Sequence, residues 1–241
     1  MADSIRTRLI KSELVAEGTM AFHFTKPPGF VFRPGQSIDL TLLNPPETDA
    51  EGNTRAFSLA SAPFDSDLMI ATRMRDTAFK RVLGKASPGL DLKMEGPSGS
   101  FVLHRKAEKP AVLLAGGIGV TPFLSMIRQA THDKAAHQIY LLCSNRRPED
   151  APFLDALEEA AQQNPNFHLI ATMTEIDKSH HKWSGKTGFI TREMLLEHLP
   201  AIQGPIYYLA GPPAMVTAMR GILTSADVDE DDIRTEEFSG Y

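Results

Sequence analysis

Two glycine-rich turns carry the clearest chemistry in this chain. The first, Ala115-Gly116-Gly117-Ile118-Gly119-Val120-Thr121-Pro122, follows the apolar run Ala111-Val112-Leu113-Leu114-Ala115 and opens a helical pattern. Residues without side chains let a backbone approach phosphate oxygens, and amides at a helix start supply donors and partial positive charge. That is the chemistry of a dinucleotide pyrophosphate site, with Gly116, Gly117, Gly119, Val120, Thr121 and Pro122 as its candidates. Pro122 takes the place of the third glycine of G-x-G-x-x-G, where the first helical turn tolerates its missing N–H. The second turn, Tyr208-Leu209-Ala210-Gly211-Pro212-Pro213-Ala214-Met215, repeats the arrangement at a later strand end, adding Gly211 and Pro212. Either motif alone is also what a turn that binds nothing looks like. Two of them at carboxyl edges of strands make a crevice.

Other residue types narrow the chemistry. Ser144-Asn145-Arg146-Arg147 ends the second strand of this half, where an adenosine ribose should lie. The turn itself has no carboxylate for a ribose 2′-OH, while Ser144 and Arg146 could bind a 2′-phosphate, which leans towards NADPH over NADH. Glu149 and Asp150 lie close by, and arginines that stack on adenine or face solvent are the alternative. The single cysteine, Cys143, excludes an internal disulfide and a four-cysteine iron–sulfur cluster. It reads as a small buried apolar residue. His180 and His181 are adjacent in a polar loop, without the i, i+4 spacing of a helical zinc pair, so no metal site is expected.

These turns need elements to hold them. Residues Ile5 to Val15, Thr19 to Thr25, Gln36 to Leu43, Arg55 to Ala60, Leu68 to Arg75 and Leu90 to Met94 read as short strands separated by Pro, Gly, Asn and Asp, the pattern of an antiparallel barrel. Thr77 to Leu83 lacks turn residues and reads as a short helix whose start could hold an anion. From Pro110 strands and helices alternate, with strands at 111–115, 138–143, 167–173, 206–210 and 233–238 and helices at 121–130, 152–162, 191–198 and 213–225, which predicts a parallel sheet. The polar stretch 104–110 between the two patterns divides the chain into residues 1–105 and 106–241.

Bulk properties exclude other classes. A chain of 241 residues with 42% hydrophobic content fills two modest cores. The net charge of −5 argues against general nucleic-acid binding. No apolar stretch of signal-peptide length follows Met1, and nowhere do about 18 apolar residues run on. A cytoplasmic protein without a membrane span is therefore expected. Against the acidic whole, residues 70–110 hold nine Lys or Arg and four Asp or Glu. That excess is either a solvated basic face or one that holds phosphates and steers an acidic protein partner.

The order of motifs carries a resemblance. Arg55-Ala56-Phe57-Ser58 lies in the barrel half, Gly96-Pro97-Ser98-Gly99-Ser100-Phe101 closes it, and Gly116 to Pro122 opens the next half. Over nearly its whole length the chain resembles the ferredoxin–NADP reductase superfamily. The resemblance implies an N-terminal antiparallel Greek-key flavin-binding barrel followed by a parallel-sheet, Rossmann-like nicotinamide-binding domain. It implies Arg55 on the flavin pyrophosphate, Phe57 against the ring in place of the usual tyrosine, and Ser58 near the reactive nitrogen. A second phosphate site would comprise Thr72, Arg73, Met74, Arg75, Thr77, Ala78, Phe79 and Lys80. On the last strand Glu236 matches a proton relay, Phe238 an aromatic near the flavin, and Tyr241 a stacking residue. Ala210 stands where many relatives have cysteine. The implied activity is electron passage from NAD(P)H through FAD to a redox protein such as ferredoxin or flavodoxin. The alternatives are direct reduction of a small acceptor (free flavin, quinone or ferric chelate) and a flavin-binding subunit without catalysis.

Overall fold

A computed structural model describes residues 5–238. The first sheet is formed by β1 (Ile5–Ala16), β2 (Thr19–Thr25), β3 (Ser37–Leu42), β4 (Thr54–Ser58), β5 (Asp67–Arg73) and β6 (Asp91–Ser98). Its order is β4-β3-β6-β1-β2-β5 with every pairing antiparallel, so β6 returns between β3 and β1 as a Greek key requires. The chain beyond β4 brings the outer strands together: the Ala60 N–H donates to the Met69 carbonyl at 2.8 Å. Leu9, Phe22, Phe24, Ile38, Leu40, Leu68 and Ile70 fill the barrel.

Between β5 and β6 runs α1 (Ala78–Lys85), a helix of eight residues. Thr77 caps it by accepting the Lys80 N–H, a first-turn donor that the helix itself leaves unpaired. Phe79 and Leu83, four apart on one face, close one end of the barrel core.

The second sheet is parallel throughout: β7 (Ala111–Gly116), β8 (Ile139–Asn145), β9 (Phe167–Met173), β10 (Lys186–Thr187), β11 (Ile206–Gly211) and β12 (Ile233–Glu237) lie in the order β10-β9-β8-β7-β11-β12. All six residues of β7 and of β11 are buried, as strands covered on both faces must be. Four helices cover this sheet: α2 (Val120–His132), α3 (Leu154–Gln163), α4 (Arg192–His198) and α5 (Pro213–Thr224). Chain order reverses at β7, with β8 on one side and β11 on the other, so the ends of β7 and β11 frame a crevice.

The two sheets share a core. Residues 120–127 of α2 are all buried, between the parallel sheet and the barrel: Phe123, Leu124, Met126 and Ile127 belong to one cluster with Ala21, Ala60, Met69 and Ala71. Ser125 Oγ donates to the Ser61 carbonyl at 2.6 Å, and Arg128 grips Asp65 at 2.5 and 2.9 Å. The connecting segment is anchored too. The Tyr208 hydroxyl accepts the His104 N–H at 2.8 Å and an Arg234 N–H at 3.0 Å, and Arg234 also donates to the Val102 carbonyl at 2.8 Å. Among the described residues, no helix is long and apolar enough to cross a membrane.

Candidate functional site

Two cavities meet where the sheets face each other. The first, 430 Å³, is lined by Arg55, Ala56, Phe57 and Ser58 of β4, Ala71, Thr72 and Arg73 of β5, then Glu51, Arg75, Thr77, Lys80, Ile118 and Phe238. The second, 600 Å³, is lined by Gly116 and Gly117 after β7, Ser144, Asn145 and Arg146 after β8, Asp150, Thr174, Phe189, Pro212 and Met215, with Arg73, Met74 and Arg75 from the barrel side. Arg73 and Arg75 border both.

A hydrogen bond joins the halves beside the first cavity. Ser58 Oγ donates to Glu236 Oε1 at 3.1 Å across 178 positions of sequence. Phe57 and Ser58, on opposite faces of β4, are both buried. Parallel pairing with β11 sets Glu236 opposite Ala210, and the Phe238 N–H donates to the Gly211 carbonyl at 3.0 Å. Burial raises the Glu236 carboxyl above its usual range, and the Ser58 bond opposes that shift. Glu236 Oε2 is buried and has no hydrogen-bond partner among the described residues.

The same cavity gathers cations. Lys80 Nζ donates to the Arg73 carbonyl at 2.8 Å, and burial, with Arg75 and Arg55 nearby, lowers the Lys80 ammonium to about 8. Positive charges that disfavour one another are relieved by an anion among them. Arg55 stacks over Phe79 at 5.4 Å and points its guanidinium back along the chain, to the carbonyls of Glu51, Gly52 and Thr54 and to the Glu51 carboxylate at 2.7 Å.

The glycine turns are tight for a steric reason. A Cβ on Gly119 would stand 2.2 Å from the Ala210 carbonyl oxygen, and one on Gly211 would stand 3.0 Å from the Gly116 nitrogen. The turns after β7 and β11 therefore touch backbone to backbone. Asp150 lies buried beside them, 2.7 Å from Arg147, 3.5 Å from Arg146 and 3.7 Å from Arg73. Arg73 comes from the barrel, so this carboxylate also ties the sheets together.

The expected residues fall into three groups. Arg55, Phe57, Ser58, Thr72, Arg73, Thr77, Lys80 and Phe238 meet in the first cavity; Arg73, Met74, Gly116, Gly117, Ser144, Arg146 and Pro212 meet in the second. Ala78, Phe79, Gly119, Val120, Thr121, Pro122, Gly211 and Glu236 line neither, Glu236 lying beside the first through its bond to Ser58. Phe79 is 1% exposed and packs against Phe57 at 5.8 Å, and Val120, Thr121 and Pro122 are buried in the first turn of α2. Tyr241 lies outside the described residues. Asn145, Thr174, Phe189 and Met215 line the second cavity without having been expected, while Arg75, expected with the second phosphate site, borders both. Asn145, whose buried Oδ1 has no partner among the described residues, adjoins Ser144 and was within reach of sequence reasoning; Phe189, 76% exposed, gave no signal. The Cys143 thiol is buried and pushed up to about 12, an inert core residue. Among the described residues, no group of three or more His, Cys, Asp or Glu could hold a metal ion.

With this geometry in view, residues 113–221 match the family model described as "Oxidoreductase NAD-binding domain". The chain is 30% identical over 218 residues to a ferredoxin–NADP reductase B of Sorangium cellulosum, covering 88% of this chain and 84% of that protein. It belongs to the ferredoxin–NADP reductase superfamily. The reductase subunit of a glycine betaine monooxygenase from Chromohalobacter salexigens is also 30% identical, over 224 residues; that match takes in 91% of this chain and 60% of the relative's length. A crystal structure of a Neisseria gonorrhoeae ferredoxin NADP+ reductase with bound FAD and NADP has the same fold, with a TM-score of 0.80 at 20% identity over 98% of this chain and 99% of that one. The first cavity is lined by the cations Arg55, Arg73, Arg75 and Lys80 together with the Glu51 carboxylate, and the Ser58–Glu236 pair lies beside it.

Proposed function

We propose that residues 1–105 hold FAD and residues 106–241 hold NAD(P)H, and that the chain passes electrons from the nicotinamide through the flavin to a redox-protein acceptor such as ferredoxin or flavodoxin. The Ser58–Glu236 hydrogen bond carries this reading, because it sets a proton-bearing pair from two separate sheets beside the cation-lined cavity. When bound, the flavin supplies the two-electron hydride acceptance and the onward one-electron release that no amino-acid side chain offers.

The chain's own residues bind, orient and shield. Lys80, Arg73, Arg75 and Arg55 would neutralise flavin phosphates, and Phe57 and Phe238 present apolar faces to the ring. Ser58 would hold a proton near the reactive nitrogen, with Glu236 behind it as the relay to solvent. Gly116, Gly117 and Pro212 give the nicotinamide dinucleotide a close backbone approach. Ser144 and Arg146 favour NADPH: the second cavity has three arginines, Arg73, Arg75 and Arg146, against the single carboxylate of Asp150.

A protein acceptor fits the relatives, one of which is described as the reductase subunit of a monooxygenase. The basic excess of residues 70–110 suits an acidic partner. The deciding experiment is the absorbance spectrum of the purified protein before and after anaerobic NADPH. A flavin spectrum that bleaches supports the reading, whereas a colourless protein that takes up no added FAD defeats it. Faster bleaching by NADH than by NADPH removes the assignment of Ser144 and Arg146.

A further inference from the structure

The connection between β3 and β4 lays carboxylates on the donors that a flavin phosphate would use. Glu47, Asp49 and Glu51 lie along this irregular, turn-containing segment. Glu47 is clasped by Arg81 at 2.6 and 3.1 Å. Asp49 Oδ2 accepts the Ala78 N–H in the first turn of α1 at 2.7 Å, and Glu51 accepts from Arg55 at 2.7 Å. Asp49 also stands 3.6 Å from the Arg55 guanidinium. The segment is folded to do this: Asp49 Oδ1 accepts the Glu51 N–H at 3.0 Å, the Gly52 N–H donates to the Asp49 carbonyl at 3.0 Å, and Gly52 turns the chain at φ 74°.

The occupied donors belong to the first cavity or adjoin it. Glu51, Arg55, Thr77 and Lys80 all line that cavity, and Ala78 follows Thr77. Arg55 and the α1 amides are the groups an anion would seek. A phosphate cannot share them with two carboxylates, since like charges at such distances repel.

Resting on the reading of this cavity as the flavin site, we propose that Asp49 and Glu51 are resident stand-ins for flavin phosphate, which a phosphate-bearing flavin must expel to bind. They thereby set selectivity: FAD and FMN bear the cost of displacement, while riboflavin, which has no phosphate, does not. The segment around residues 47–52 swings outward when FAD binds.

The test compares binding of FAD, FMN and riboflavin, by flavin fluorescence quenching, to the wild-type protein and to the Asp49→Asn/Glu51→Gln variant. Asparagine keeps an oxygen for the Ala78 N–H and glutamine one for Arg55, so only charge is removed. FAD and FMN should bind the variant about tenfold more tightly, while riboflavin changes less than about twofold. Equal gains for all three flavins, no gain, or weaker FAD binding would overturn the inference and leave the flavin site standing. If no flavin binds either protein, the reading of the cavity itself fails. A second measurement does not depend on the variant: FAD should speed cleavage of wild-type protein by a glutamate-specific protease after Glu47 or Glu51. Protection or an unchanged rate at both positions argues that the segment stays in place.

Discussion

At the scale of single residues, the proposed proton path rests on Ser58 and Glu236, joined by a hydrogen bond. Removing the hydroxyl in Ser58→Ala leaves a second oxygen of a buried carboxyl without a partner. Anaerobic flavin reduction by NADPH in stopped flow should slow roughly 10- to 100-fold, the worth of a hydrogen bond to a charged group, with flavin content retained. An unchanged rate would take Ser58 out of the proton path. Glu236 adds a pH signature. Burial raises its carboxyl above the ordinary value of 4.5, so the folded chain holds this proton more tightly than the unfolded chain does. Stability from this group is complete below pH 4.5 and is lost as pH rises through the folded value. The Glu236→Gln variant should therefore melt higher than wild type at pH 7 to 8, with the difference shrinking near pH 4. A variant that melts lower at pH 7 would contradict the burial argument.

At the scale of elements, the turns after β7 and β11 work as one unit. A methyl group on Gly119 would overlap the Ala210 carbonyl at 2.2 Å, and backbone cannot retreat as a side-chain tip can. Gly119→Ala should cost about 1–3 kcal/mol in denaturant unfolding and weaken NADPH binding together with it. Stability lost without any change in affinity would separate the turn from the dinucleotide. The segment joining the two sheets offers a second test. Tyr208→Phe removes the acceptor for the His104 N–H and for Arg234, and should lower stability by about 1–3 kcal/mol, read from the melting transition. Most of these elements were legible in the chain, because buried parallel strands read as unbroken apolar runs and Thr77 and Thr191 mark helix starts at the caps they form. The edge strand β10 was not: two residues carry no periodicity.

At the scale of the whole molecule, the barrel and the parallel sheet are locked together by α2 and by the arginines around Asp150. Asp150→Asn would take the carboxylate away from Arg146 and Arg73 and leave Arg147 with Glu17 and Glu149 alone. Breaking a buried pair costs about 3–5 kcal/mol, and the partial exposure of the arginines places the expected loss near or below ~3 kcal/mol. Urea unfolding of the variant should show that loss, smaller at high salt, where the arginines are screened. A variant as stable as wild type would mean that solvent, not Asp150, balances these cations.

The sequence by itself determined the order of the two folds and the glycine turns, since these depend on period, apolar runs and steric freedom within short stretches. It also placed Ser58 and Glu236 in separate motifs. Only the tertiary structure decided that these two share a hydrogen bond across 178 positions, that Phe79 belongs to the barrel core, and that Asp150 gathers arginines from both halves. It likewise decided that Asp49 and Glu51 rest on the donors of α1 and Arg55. Such contacts arise from how packed sheets and loops meet, and their partners lie too far apart or too irregularly along the chain for any local pattern to record them.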